Sequence, residues 1–185
     1  MISQSVLVID VETTGFDPGI NACIEVGAIL LDHNQEFAGE FSSMIAPWEG
    51  AEIVEAALEV SGIARESLWV APPLQKVIQD FHTKFGSQKN LPVIAGWNVW
   101  FDVSFLRDLY RRGNLRWPFG HRFIDIQSVA AFFNGLHPAS QEKFISKKLH
   151  QKQTHRALSD ARHTSEILQS LTKAHWKDFR RAQVT

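Results

Sequence analysis

The sequence predicts an α/β domain, with one mixed five-stranded sheet flanked by helices. Three observations predict it. Three apolar, strand-like segments come first, over residues 6–11 (VLVIDV), 24–31 and 37–45, joined by short loops. Two further strand-like segments, residues 92–95 and 123–126, then alternate with helical ones. The chain has 185 residues, 44% of them hydrophobic and 21% charged, which is enough apolar material to cover both faces of a sheet. A meander followed by strand–helix alternation puts antiparallel and parallel pairs in one sheet.

Each element has a local reason. Apart from Asp10, residues 6–11 are apolar and mostly β-branched, as a buried strand requires. Residues 13–19, TTGFDPG, carry Asp-Pro and Gly turn signals. A short helix is expected over residues 52–60, stopping near Gly62. Pro72 and Pro73 open the next helix, where Leu74, Val77, Ile78, Phe81 and Phe85 recur at helical spacing. Phe105, Leu106 and Leu109 give the following helix an apolar stripe, ended by Gly113. An apolar helix then runs to Gly135, and a more basic helix is expected over residues 141–150. Thr154 opens the last long helix, with Ala157, Leu158, Ala161, Leu168 and Leu171 as its buried face. No repeat, low-complexity tract or linker divides the chain. One domain is expected over residues 1–175, followed by a basic tail over 176–185.

Net charge is −1, but it is unevenly spread. Through Ala71 there are twelve acidic residues and one basic residue, Arg65; from Pro72 onward there are eight acidic and eighteen basic. Such asymmetry fits a carboxylate site beside a surface that holds a polyanion. It equally fits two surfaces that pair with each other. Arg156, Arg162, Lys147, Lys148 and Lys152 either hold backbone phosphates or form a solvated basic face. No apolar run approaches the ~20 residues of a membrane span. Residues 1–11 lack the basic region and cleavage site of a signal peptide. The single cysteine, Cys23, has no partner for an internal disulfide and reads as a core residue. A cytoplasmic protein with no membrane association is expected.

The acids that need explaining are few. Strand side chains alternate, so Val6, Val8, Asp10 and Glu12 share one face. Two neighbouring carboxylates at the end of a buried strand repel each other and lose solvation. Either the strand ends there and both face water, or a divalent cation compensates them. Asp102 follows the fourth strand and is placed either to cap the next helix or to point into a cleft at the sheet edge. Asp160 falls beside the apolar stripe of the last helix and points inward or lies at the surface. His155 precedes it by five residues, roughly 140° around a regular helix. For the two to converge, His155 must lie at the first turn or just before it. Glu25 and Asp125 are further acids in strand-like segments. Glu25 ties the sheet to the first acidic segment or faces solvent, and Asp125 is placed to cap the helix after it. Neither is assigned to a metal.

These residues form a pattern. VIDVETTGFDP resembles the first motif of the DEDD exonuclease superfamily, NVWFDVSFLRDL the second and HRALSDARHTSEIL the third. The spacing from His155 to Asp160 is similar to that of the histidine-containing DEDDh subclass. ACIEVGAILL resembles the strand after the first motif, and VSGI, ending at Ile63, the loop before the second. Proofreading exonuclease subunits, ribonuclease T and oligoribonuclease belong to this superfamily. The second motif departs from the common pattern: Trp97 stands where a histidine is usual, and Trp100 is bulkier than the small residue common there.

The resemblance implies a ribonuclease-H-like fold and a metal-dependent 3′–5′ exonuclease. It implies that Asp10, Glu12, Asp102 and Asp160 hold two divalent ions, Mg²⁺ or Mn²⁺, and that His155 is the general base. Imidazole suits that role because it titrates near neutrality. Thr13, Thr14, Phe16, Ile63, Trp97, Asn98 and Phe101 are the implied contacts to the terminal nucleotide, and the alternative for each aromatic is core packing. The implied substrate is the 3′ end of a single strand of DNA or RNA, and the implied products are nucleoside 5′-monophosphates. A homodimer or a polymerase partner is also within the family's range. The alternatives are a catalytically weak nucleic-acid-binding module and a polymerase-associated proofreading subunit.

Overall fold

In the computed structural model of the chain, residues 4–133, 135 and 155–182 are described, those from 174 onward as backbone only. Five strands form one sheet in the order β3-β2-β1-β4-β5. They are β1 Val6–Thr13, β2 Cys23–Leu31, β3 Phe37–Met44, β4 Val93–Gly96 and β5 Phe123–Asp125. Among the described residues six α-helices accompany them: α1 Glu55–Ser61, α2 Arg65–Leu68, α3 Leu74–Phe81, α4 Val99–Arg112, α5 Ile126–Phe133 and α6 Ala157–Ala182. β2 pairs antiparallel with β1 and β3, while β4 pairs parallel with β1 and β5. This is the mixed sheet expected from the order of the segments.

The alternation along β1 divides the core. Leu7, Ile9 and Val11 pack with α3 and α4 through Val77, Ile78, Phe81, Val103 and Leu106. Val6 and Val8 face the other way, against Ile126, Ala130, Ala161, Ile167 and Leu168 of α5 and α6. Each fully buried aliphatic side chain contributes roughly 1.5–3 kcal/mol, so this two-sided burial fixes the register of β1. A third, smaller cluster of Ala22, Ile24, Leu58, Ile63 and Leu68 lies under α1 and α2.

Several boundaries differ from the sequence expectation. β1 runs on to Thr13, because Glu12 and Thr13 still pair with Glu25 and Cys23 across an irregularity. α1 starts at Glu55 and not at residue 52, since the Glu52 and Val54 N–H groups donate to Ile20 and Thr14 carbonyls. Phe85 lies in a π-helical turn, His82–Gly86, that extends α3 and keeps its ring 5.2 Å from that of Phe81. α2, four residues long, is too short for periodicity to reveal. α6 begins at Ala157, after non-helical His155 and Arg156, and its backbone stays helical past residue 175 to Ala182. The helix expected over residues 141–150 lies outside the described residues.

Candidate active site

The site forms where the strand pairing gives way. β1 pairs with β4 only through Val6, Leu7 and Val8. Beyond Val8 the edge of β1 is open on that side. Asp102 fills the gap: its Oδ1 accepts the Val11 N–H at 3.0 Å. Asp102 is therefore not the cap of α4. That position belongs to Asn98, in the left-handed region at φ 57° and ψ 49°, and Asp102 lies within the first turn, 4% exposed. β4 passes close beside β1 at Gly96, where a Cβ would stand 3.1 Å from the Ile9 carbonyl oxygen, a tight contact.

On the opposite face, Asp10 and Glu12 meet α6. Asp10, Glu12 and Asp160 each offer a carboxylate oxygen within 4.8 Å of the others. Asp160 is 1% exposed, and Asp10 and Glu12 are half-buried. Inward placement of Asp160 follows from the packing of Ala157 and Ala161 on the sheet, one turn apart on α6. One turn further on, His163 Nδ1 lies 3.7 Å from Asp160 Oδ1.

Crowding leaves a strong electrostatic signature. Burial, then the Asp102, Asp160, Glu12 and Glu25 carboxylates, push the Asp10 carboxyl well above the ordinary carboxylate range. Burial, then Asp160 and Glu25, push Glu12 up to about 8, with Arg156 pulling the other way. Burial also drives Asp102 up, against the pull of the Val11 N–H. A divalent cation would compensate carboxyls crowded in this way. Hard oxygen donors, closely spaced and short of positive charge, fit a divalent ion well.

Glu25 lies directly across from Glu12 in the β1–β2 register. It is buried and receives Arg156 in a two-pronged contact, Nε to Oε2 at 3.0 Å and the guanidinium NH₂ to Oε1 at 2.7 Å. Glu25 also accepts the Ala157 N–H at 3.2 Å, capping the start of α6. Thus Glu25 ties the sheet to the third motif and does not face solvent. Arg156 is engaged here and Arg162 pairs with Glu40 at 2.6 Å, so both arginines have acidic partners. Lys147, Lys148 and Lys152 lie outside the described residues.

His155 sits two residues ahead of α6, at φ 50°. It is outside the helix, as convergence with Asp160 requires. A non-glycine residue held in the left-handed region stores strain of order 1–3 kcal/mol, and such residues concentrate at functional sites. Asp125 caps α5 through the Ser128 N–H and also accepts the Val99 N–H at 3.3 Å, joining the starts of two helices.

The residues expected to contact a nucleotide fall into two groups. Phe16 is 90% exposed at the turn after β1, its ring 6.3 Å from that of half-buried Phe101. Asn98, three residues before Phe101, is exposed, and its side chain makes no cap bond. Thr13 and Thr14 are buried: Thr13 Oγ1 donates to the Gly15 carbonyl, and Thr14 Oγ1 donates to the Glu52 carbonyl while accepting the Ala22 N–H. Ile63 belongs to the small cluster under α1, and Trp97 packs with Val8, Ala95 and Ala130. Glu25 and Gly27 carry more of the architecture than the sequence reading gave them. The visible signal was a charged residue and a glycine inside an otherwise apolar, fully buried strand.

Comparison with known proteins agrees with this geometry. A family model described as an exonuclease, of ribonuclease T type, matches residues 7–168. Ribonuclease T of Hahella chejuensis is 30% identical over 187 residues, covering 94% of this chain and 85% of that protein. A PolC-type DNA polymerase III of Thermotoga petrophila is 30% identical over 162 residues, and there the match covers 87% of this chain but only 11% of the polymerase. Escherichia coli exonuclease I, solved in complex with a dT13 oligonucleotide, superposes with a TM-score of 0.82 at 18% identity, over 97% of this chain and 43% of that one. This last likeness is one of fold, and the fold is ribonuclease-H-like. The chain belongs to the exonuclease family of ribonuclease T type, within the DEDD 3′–5′ exonuclease superfamily.

Proposed function

We propose that the protein is a 3′–5′ exonuclease that hydrolyses phosphodiester bonds in single-stranded DNA or RNA and releases nucleoside 5′-monophosphates. The observation that carries this reading is the meeting of Asp10, Glu12 and Asp160 within 4.8 Å, with Asp102 anchored to the same strand. Asp10, Glu12, Asp102 and Asp160 would hold a pair of divalent ions, Mg²⁺ or Mn²⁺. When bound, such a pair supplies an acidified water and stabilises charge on the phosphorus and the leaving oxygen.

The chain's own groups do the rest. His155 takes the proton of the attacking water at an imidazole nitrogen, worth about 10²–10⁴ in rate. Its strained backbone and the Glu25–Arg156 contact beside it hold that ring ahead of α6. The P–O3′ bond breaks, the upstream nucleotide keeps a 3′-hydroxyl, and the released nucleotide keeps the phosphate. Phe16 and Phe101 offer aromatic surface to the terminal base, which stacks without regard to its identity. The catalytic unit spans residues 1–175, and residues 176–185 form its basic tail.

The test uses matched 5′-labelled single strands of DNA and RNA, followed over time with Mn²⁺, with Mg²⁺ and with a chelator. The expected result is a metal-dependent ladder shortening from the 3′ end, abolished in Asp10→Ala. Intact strands under every metal condition would remove the reading. A second reading, proofreading in company with a polymerase, is favoured by the PolC-type relatives, in which the matching segment is 11% of a much longer polymerase. It predicts that a polymerase co-purifies with the protein and raises its activity.

A further inference from the structure

The outer face of α4 carries aromatic and basic side chains that the catalytic cluster does not use. Trp100, two residues from Asp102, is 60% exposed, and its ring stands edge-on to Phe123 at 5.1 Å. Arg107, two helical turns along the same face, places its guanidinium 5.5 Å from the Phe123 ring centre and 5.1 Å from that of Trp117. The result is a continuous ladder, Trp100–Phe123–Arg107–Trp117. It starts at the catalytic edge and runs away from it down the helix.

Phe123 and Trp117 are half-buried against the core, and two features set Trp100 and Arg107 apart from ordinary core packing. Trp100 projects outward, whereas α4 seats itself on the core through Val103, Leu106 and Leu109. Among the described residues, Arg107 is paired with aromatic rings and with no carboxylate. Between Val99 and Phe123 the chain holds five arginines and two aspartates. Asp102 is buried in the catalytic cluster, and Asp108 is already shared by Arg111 and Arg112. Arg112 also lies over the Trp48 ring, away from the ladder, so the positive charge left beside the rings is that of Arg107, Arg116 and Arg122. A phosphate chain with unstacked bases has the complementary chemistry.

We propose that this ladder is the track for the single strand upstream of the nucleotide being removed. Bases stack on Trp100 and Trp117, and phosphates lie along Arg107 and its neighbours Arg116 and Arg122. From Trp100 to Arg107 the helix rises about 10 Å, the length of roughly three nucleotides of a stacked strand. The track rests on the exonuclease reading only for what lies at its catalytic end. It makes the enzyme one that favours strands several nucleotides long over dinucleotides.

The test separates binding from turnover. Affinity is read by fluorescence anisotropy in chelator, using 5′-labelled DNA and RNA strands of about a dozen nucleotides, for the whole chain and for Trp100→Ala, Trp100→Phe and Arg107→Gln. Trp100→Ala and Arg107→Gln each weaken binding about tenfold, and Trp100→Phe recovers most of the loss. Arg107→Gln also flattens the slope of log affinity against log salt by about 0.7, one phosphate contact on a single strand. In turnover with Mn²⁺, the kcat/KM advantage of the long strand over a dinucleotide shrinks by the same factor. Unchanged affinity in folded variants, judged by melting temperature, overturns the track and leaves the ladder to a protein partner. An equal loss on dinucleotide and long strand also overturns it. Weakened binding without any hydrolysis by the parent chain keeps the track and removes the exonuclease reading.

Discussion

Gly27 lies against the backbone of Ala157. A Cβ built on Gly27 would stand 2.2 Å from the Ala157 carbonyl carbon and 2.3 Å from the Leu158 nitrogen. Gly27 is also the register partner of Asp10. The contact thus sets how close the start of α6 comes to the catalytic strand, and with it the approach of Asp160 to Asp10. Since the colliding atoms are backbone, a rotamer change cannot relieve the clash. Gly27→Ala is expected to cost about 2–3 kcal/mol of stability and most of the metal-dependent activity. Denaturant unfolding and an oligonucleotide ladder read both. A variant matching the parent in both would show that α6 has slack at this point.

Removing one charge from the cluster should separate stability from activity. Asp10→Asn keeps the shape of the side chain and relieves repulsion from Asp102, Asp160 and Glu12. In chelator it is expected to be more stable than the parent by about 1–3 kcal/mol, while turnover with Mn²⁺ falls about 10³-fold or more. A destabilised Asp10→Asn would mean that the carboxyl is held by contacts and not merely tolerated.

Protonation gives a second handle on the same cluster. Glu12 rises from an ordinary 4.5 to about 8 in the folded chain. A carboxyl whose folded value is raised binds its proton more tightly in the folded state than in the unfolded one. Its stabilisation is fully present below about pH 4.5 and is lost as pH climbs through about 8. The metal-free protein should therefore lose stability across that window, by an amount on the order of a few kcal/mol. Saturating Mg²⁺ or Mn²⁺ should flatten the loss by holding the ionised form. Melting temperatures against pH, with and without metal, check the sign directly.

The Glu25–Arg156 contact should be sensitive to geometry as well as charge. Arg156→Ala leaves a buried carboxylate with the Ala157 N–H as its remaining recorded partner. The expected cost is about 2–3 kcal/mol, with kcat lowered about tenfold and KM little changed. Arg156→Lys should recover only part of this, because an ammonium cannot reproduce the two-pronged fork. Full recovery by lysine would reduce the contact to simple charge neutralisation.

His155 should behave differently from all of these. Its replacement by alanine removes an imidazole and, by the assigned role, about 10²–10⁴ in kcat. Stability should change little, since alanine keeps a Cβ on the same left-handed backbone at φ 50°; His155→Gly, which relieves that strain, should be the more stable of the two. Thermal melts and single-turnover rates on one oligonucleotide separate the outcomes.

By itself the sequence determined the order of strands and helices, since the apolar period changes from two to about 3.6 along the chain. It determined that Asp10 and Glu12 share a face, because strand alternation leaves no other choice. It also placed Asp160 beside the buried stripe of the last helix, and the angle around a helix put His155 at its first turn or just before it. What remained depends on contacts between distant segments. Asp102 meets Val11 across 91 positions, and only because β1–β4 pairing stops at Val8. Glu25 meets the start of α6 across 132 positions, and Arg156 meets it across 131. Thr14, Ile63 and Trp97 are buried for the same reason: the turn after β1, the α1–α2 layer and α5 close over them. Local pattern encodes which face a side chain takes. Which partner waits on that face is decided when the chain folds over itself.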